Sequence, residues 1–308
     1  MPVGPVARRI YVANLIAQMA IIVTGAIVRL TGSGLGCPTW PECVEGSYIP
    51  TSRQEESFHK FIEFGNRLLT FVLVILAIAA IVVTIVEMRR RTRAGGPPRR
   101  VLLILASIPI VGTLGQAVLG GITVLTGLHP TTVAAHFLVS MAIVAGCVAL
   151  VVRSRDQGDQ PVTLLVRREI RWLSWLLIAV VSAVVVLGVL TTGSGPHSGD
   201  ADTENRFSLD PRTVAWLHAD AVLFFLGLLV ALLLALRLTD APARVRKPAW
   251  ILLAVALAQG AIGYLQYFTG LPIILVGMHV LGAVGLWVAA LWVIGAQRTR
   301  GIPASYRE

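Results

Sequence analysis

Two stretches of this 308-residue chain, 101–152 and 248–297, contain no Asp, Glu, Lys or Arg. A helix rises ~1.5 Å per residue, so either stretch as a single helix would be about 75 Å long. A bilayer's hydrocarbon core is ~30 Å thick and is crossed by ~20 residues. Each stretch must therefore fold back on itself. Each carries turn chemistry near its middle, Gly127-Leu128-His129-Pro130 in the first and Gly270-Leu271-Pro272 in the second. Four further apolar runs, 10–29, 61–87, 172–192 and 212–236, are each long enough to span once. The expected fold is an all-α integral membrane protein with eight transmembrane helices. Only 14% of residues are charged, against ~25% in soluble domains, which excludes a soluble globule or a disordered chain.

The net charge of +10 suggests nucleic-acid binding until the charges are placed on this topology. The even-numbered connections and both termini hold 20 of the 26 Lys and Arg and only 6 of the 16 acids. The positive-inside rule then puts both termini and the basic loops in the cytoplasm. Trp172, Trp175, Trp250 and Trp292 fall near the same helix ends, as an interfacial belt would. The charge sets orientation and implies a lipid bilayer as partner, with no nucleic acid. Arg8 and Arg9 precede a first apolar run that is long enough to span and has no Ala-x-Ala-like site after it, so it reads as a retained helix. Cys37 and Cys43 fall in the first outer loop, where disulfides persist. Cys147 lies inside the fourth span and reads as a small buried apolar residue.

The chain repeats itself. Segment 116–136 and segment 259–279 align without a gap at a constant offset of 143. Gln116, Gly120, Thr126, Gly127, Leu128 and His136 match Gln259, Gly263, Thr269, Gly270, Leu271 and His279. The first and fifth spans also both end in Thr-Gly-Ser-Gly, at 31–34 and 192–195. Two pseudo-symmetric four-helix bundles follow, 1–160 and 161–308, with the same orientation in the membrane.

Three histidines lie within apolar spans, His136, His218 and His279, each six or seven residues into an even-numbered helix. At ~1.5 Å per residue that is one common depth, about 10 Å below the outer helix end. A lone intramembrane histidine reads as a helix–helix hydrogen bond. Three at one depth on repeat-related helices read as ligands, because imidazoles from facing helices hold a heme iron axially within a bundle. His218 and His279 form such a pair. The first half has His136, but its second span offers Glu63-Phe64-Gly65-Asn66-Arg67 and no histidine at that level. His59, Glu63 and Asn66 share one helical face by their spacing. Ser52 and Glu55 match a capping box, which would start this helix near 52. His59 is then either a solvated interfacial residue or part of the site. Glu63 and Arg67 are either a plain ion pair or, for a carboxylate whose burial disfavours ionisation, a proton-transfer group. Asp220 is off the face of His218 and is expected to pair with Arg67 or Arg29. His129 and His197 fall in outer turns, solvated yet within reach of a propionate.

Together these residues resemble the heme A synthase family of bacterial type, membrane enzymes that convert heme O to heme A for cytochrome oxidase. The likeness covers nearly the whole chain: TGSGLGCPTWPEC at 31–43, IEFGNR at 62–67, TGLHP at 126–130, TGSGPHSGD at 192–200 and the intramembrane histidines. The resemblance implies that His218 and His279 ligate a resident heme b in the C-terminal half. It implies heme O as substrate in the N-terminal half, with His136 as an axial ligand and Glu63 as the acid beside the C8 methyl group. That methyl is oxidised twice, through a hydroxymethyl to a hydrated aldehyde that loses water. Cys37 and Cys43 match a disulfide of the outer loop. Implied also are a plasma-membrane location with the active site near the outer face, an electron acceptor, and heme O synthase as a candidate partner.

One position departs from the family pattern. Glu-x-x-His-Arg is usual in the second helix, and here Asn66 holds the histidine position, followed by Arg67. Either His59 replaces that ligand from two turns higher, or His136 holds the substrate iron alone with a position open for oxygen or water. Two other classes compete with the synthase: a diheme cytochrome b that transfers electrons or oxidises quinol, and a heme-handling assembly factor.

Overall fold

The computed structural model describes residues 3–52, 54, 58–156, 161–197 and 205–301. Among them are eight helices, each long and apolar enough to cross a membrane. They are α1 Pro5–Leu30, α2 His59–Arg93, α3 Arg100–Leu125, α4 Pro130–Ser154, α5 Arg168–Ser194, α6 Pro211–Leu238, α7 Ala243–Phe268 and α8 Ile273–Ala296. A short antiparallel pair, β1 Thr163–Leu164 with β2 Arg298–Thr299, ties the α4–α5 connection to the segment after α8. The chain is an all-α multi-pass membrane protein, as expected.

Local chemistry sets the helix starts. Proline opens α1, α4 and α6, where its missing N–H costs nothing. Asp210 caps α6 by accepting from the Thr213 N–H at 2.8 Å and the Thr213 hydroxyl at 2.6 Å. The two charge-free stretches turn where expected, and they turn alike. Gly127 and Leu128 have φ of 60° and 57°, and Gly270 and Leu271 have 78° and 61°. Two successive left-handed residues make a sharp reversal, and glycine takes the first of them without steric cost.

On α2, Phe71, Ile75, Ile78 and Val82 are exposed. Leu73, Ala77, Ala80 and Thr84 on the other face are buried. An exposed apolar stripe at helical spacing is the face a helix gives to lipid.

Two hydrophobic cores result. One joins α5 to α8 through Leu177, Val181, Phe225, Leu229, Leu252 and Val293. The other draws mainly on α1 to α4, through Tyr11, Leu15, Ala80, Ala106, Val144 and Val148, and takes in Val284 of α8. Two polar pairs lie inside this second core, Tyr11 with Thr84 at 2.6 Å and Gln18 with Thr113 at 3.1 Å, while the fully buried Asn14 amide between them has no hydrogen-bond partner among the described residues. Cys147 is free and buried among them, as expected of a small apolar residue. Across the interface the Trp287 indole donates to the Met141 carbonyl at 2.9 Å, and Arg29 donates to that of Thr192 at 2.9 Å.

Candidate functional site

His218 reaches from α6 to α5, where its Nδ1–H donates to the Val184 carbonyl at 3.0 Å. A carbonyl only accepts, so this bond places the proton on Nδ1 and leaves the Nε2 lone pair available, the arrangement usual for a metal-binding histidine. Its ring lies over Gly188, where a Cβ would come within 3.1 Å of Cε1. His279 of α8 lies over Gly263 of α7 in the same way, at 3.2 Å. Gln259 fixes that turn of α8 by donating to the His279 carbonyl at 2.6 Å. The His218 and His279 ring centres are 6.4 Å apart. With ~2.1 Å from a transition metal to an imidazole nitrogen, and ~1.1 Å from nitrogen to ring centre, two axial imidazoles would stand ~6.4 Å apart. His279 Nδ1 is buried without a hydrogen-bond partner. Among the described residues no group of three or more His, Cys, Asp or Glu could hold a metal ion by itself. A metal between these rings therefore needs its remaining ligands from elsewhere, as a porphyrin provides, and the residues present fit a heme.

The first half repeats half of this arrangement. Gln116 donates to the His136 carbonyl at 2.7 Å and to the Ser140 hydroxyl. A Cβ at Gly120 would lie 3.3 Å from His136 Cε1, and His136 Nδ1 is also buried and unpartnered. The Gln–His–Gly contact thus recurs at the offset of 143. The other side differs. Aligning the two Thr-Gly-Ser-Gly ends puts Val184 of α5 level with Val23 of α1. At that level Asn66 of α2 meets α1, its Oδ1 accepting from the Thr24 hydroxyl at 2.7 Å.

The second helix starts at His59, not near 52. Side-chain bonds to the backbone compete with helix here. Gln54 Oε1 accepts from the Thr51 N–H at 2.8 Å, and the Lys60 ammonium donates to the Thr51 carbonyl at 2.8 Å. Glu55, the other half of the expected capping box, lies outside the described residues. His59 is exposed at the first position of α2, with Nδ1 2.8 Å from the Ser33 hydroxyl.

Glu63 and Arg67 form the ion pair that their spacing allows, at 2.6 Å, with the Glu63 side chain only 7% exposed. The pair also anchors the outer loop. Cys37 N–H donates to Glu63 Oε2 at 2.7 Å. Arg67 donates to the carbonyls of Cys37 at 2.7 Å, Thr39 at 3.1 Å and Glu42 at 3.2 Å. Cys37 and Cys43 are joined as a disulfide. The Trp40 indole of the same loop lies so close to Gly121 of α3 that any Cβ there would overlap it. Loop, α2 and α3 are one packed unit around the carboxylate.

Other expectations change. Asp220 is exposed and pairs with neither Arg29 nor Arg67, whose donors go to Thr192 and to Glu63 with its loop. His129 caps α4, accepting from the Thr131 N–H at 3.4 Å, and His197 reaches the Leu271 carbonyl at 3.0 Å. The sequence reading gave no role to Gln116, Gln259, Gly120, Gly188 or Gly263. For all but Gly188 the signal was there, in the identities at constant offset around His136 and His279.

A family model described as "Cytochrome oxidase assembly protein" matches residues 8–291. Proteins named heme A synthase are similar to this chain. That of Geobacillus thermodenitrificans is 34% identical over 61 residues, 20% of this chain and 18% of its own length. That of Lysinibacillus sphaericus is 31% identical over 164 residues, 52% of this chain and 50% of its own. That of Shewanella oneidensis is 24% identical over 208 residues, 61% of this chain and 56% of its own. The matched part thus spans about half, or less, of each of these relatives. The family model covers nearly all of this chain, from α1 to α8: it belongs to the COX15-CtaA family of cytochrome oxidase assembly proteins.

Proposed function

We propose that this chain is a heme A synthase, an oxidoreductase that converts the C8 methyl of heme O to the formyl group of heme A in two successive oxidations. One observation carries the reading. The same Gln–His–Gly contact occurs twice, but among the described residues only His279 has a second histidine ring beside it, that of His218, whereas α2 of the other half carries Asn66, bonded to Thr24, and Glu63. A diheme electron-transfer cytochrome would call for matched pairs. An unmatched pair suits one cofactor and one substrate.

In the C-terminal half, 161–308, His218 and His279 would hold heme b, which would supply one-electron transfer when bound. The Val184 carbonyl holds the His218 tautomer, and Gln259 holds the turn that carries His279. In the N-terminal half, 1–160, His136 is the protein ligand to the substrate iron. His59 lies seven residues before Asn66, about 10 Å along the helix axis, and bonds Ser33. We assign it to the loop and leave the substrate iron to His136. Glu63, its carboxylate held by Cys37 N–H and Arg67, handles protons beside the methyl group. The basic ends face the cytoplasm of a plasma membrane by the positive-inside rule, which puts both sites toward the outer leaflet. Heme O synthase is the source of substrate and a candidate partner.

The test is pigment extraction after expression in a host that makes heme O. Heme A in the extract supports the synthase, and heme b alone in both sites would instead mark a diheme cytochrome. A Glu63→Ala variant is expected to accumulate heme O with its heme b intact. Undiminished heme A from that variant would remove Glu63 from the chemistry.

A further inference from the structure

At the end of the bundle away from the histidines, three guanidinium groups converge on one oxygen of one acid. Arg153 lies 3.3 Å, Arg298 4.0 Å and Arg300 3.9 Å from Asp156 Oδ2. Arg153 and Asp156 come from the end of α4, and the other two from the segment after α8 that β1–β2 pins in place. The groups are partly withdrawn from water, with side-chain exposures of 18% for Arg153 and Arg298, 32% for Arg300 and 13% for Asp156. Arg171, from the first turn of α5, adds a fourth positive charge near Arg298.

One carboxylate cannot balance this set. Among the described residues, Asp156 is the only acid in the ion pairs of these arginines. Arg171 NH1 and Arg300 Nε are buried with no hydrogen-bond partner. Burial together with Arg153, Arg300 and Arg171 pushes the Arg298 guanidinium down from its ordinary value. Buried N–H donors that lack an acceptor, in a cluster of surplus positive charge, are costly unless an anion completes them. Guanidinium forks match phosphate oxygens in geometry as well as charge. The depth fits too. Trp172 and Trp175, one and four residues beyond Arg171, are 65% and 48% exposed, as aromatic residues at headgroup level are. Arg155 stacks on Trp292 close by in the chain, 4.4 Å from the ring centre.

We propose that Arg153, Arg171, Arg298 and Arg300 form a binding site for a phosphate group, that of an anionic phospholipid headgroup, at the seam where α4, α5 and the C-terminal segment meet. Basic pockets between transmembrane helices take such headgroups. An occupied site would lock the segment after α8 to both halves.

The experiment uses the full chain in zwitterionic nanodiscs and follows its unfolding midpoint against phosphatidylglycerol, phosphatidylcholine or inorganic phosphate. Phosphatidylglycerol is expected to raise the midpoint saturably and phosphatidylcholine to leave it unchanged. Arg298→Gln with Arg300→Gln is expected to need roughly 30-fold more phosphatidylglycerol for the same rise. A rise with inorganic phosphate at millimolar concentration keeps the phosphate site and makes free phosphate its ligand. Should the double variant fail to fold, Asp156→Asn decides, because removing the competing carboxylate must tighten phosphatidylglycerol binding. No response of the wild-type protein to either anion overturns the proposal. So does an equal response in the double variant, or an unchanged one in Asp156→Asn.

Discussion

Arg67→Leu removes the donor that joins α2 to the disulfide loop, and the cost follows from its contacts. The guanidinium serves Glu63 Oε1 and the carbonyls of Cys37, Thr39 and Glu42. Deleting one partner of a fully buried ion pair costs ~3–5 kcal/mol. Arg67 is 23% exposed, so solvent screening lowers that to about 2–4 kcal/mol. The three carbonyls belong to a loop that water can enter, and together they add about 1 kcal/mol. The sum is about 3–5 kcal/mol, or a fall of roughly 6–10 °C in unfolding midpoint for a chain of this size. Glu63→Gln should cost less, about 1–2 kcal/mol, because its amide oxygen still accepts from Cys37 N–H and Arg67 keeps three carbonyls. With the carboxylate gone, Arg67→Leu has less to lose, so the double variant should fall short of the sum by about 1–3 kcal/mol. Thermal unfolding in detergent, followed by tryptophan fluorescence, measures all four corners of the cycle. A midpoint for Arg67→Leu within about 2 °C of wild type, or strict additivity, would refute the view that this pair anchors the loop.

Gly188→Ala places a Cβ 3.1 Å from His218 Cε1, tighter than ordinary contact, so the ring must shift from the Val184 carbonyl. Retained heme should fall at least by half in the pigment spectrum with helicity unchanged, and full retention would show that the ring has room. Asn66→His supplies an imidazole opposite His136 at the cost of the Thr24 bond; the heme O-loaded protein should gain low-spin signal, and no gain would count against the assigned level. The Asp210 carboxyl lies below the usual carboxylate range because the Thr213 hydroxyl and N–H donate to it. A depressed folded-state pKa means the cap stabilises fully above the unfolded carboxylate pKa, ~3.9, and is lost as pH falls through the lower folded value. Protection factors in the first turn of α6, taken relative to the intrinsic exchange rate at each pH, should therefore fall in acid for wild type and stay level in Asp210→Asn.

What was legible from sequence was what composition and period control. The two reversals could be placed because charge-free stretches too long for one crossing have few residues able to turn, and Gly127-Leu128 and Gly270-Leu271 do turn there. The histidine pair was legible because a polar group in an apolar span has few uses. The start of α2 was not, because Gln54 and Lys60 bond the backbone around Thr51 and compete with the helix that Ser52 signals. The partners of Arg67 were half legible. Glu63 is one turn away, whereas Cys37, Thr39 and Glu42 lie 30, 28 and 25 residues back along a loop whose path no periodicity encodes. Asp220 was correctly read as off the face of His218, but a single helix does not reveal that its face is exposed.

The two halves differ least at the turns and the Gln–His–Gly contact, and most on the helices opposite. That distribution bears on how a duplicated unit can acquire two tasks. The shared contact holds one imidazole at a set depth, a glycine clears space for it, and a glutamine fixes the helix turn that carries it. The glutamine and glycine contacts of that unit run between α3 and α4 or between α7 and α8, so substitutions on the opposite helix leave those contacts in place. In the second half, the His218 and His279 rings face each other with centres 6.4 Å apart, a pair that on the proposed function would hold the resident heme. In the first, Asn66 turns instead to Thr24, and one turn away Glu63 is held by a disulfide loop through Arg67. An amide fixed by a hydrogen bond to its neighbour is a poor metal ligand, and a carboxylate with three fixed N–H contacts is a well-oriented acceptor. On the proposed function the same scaffold would retain one heme and expose another to chemistry, the difference resting on a few side chains of α2 and the loop before it.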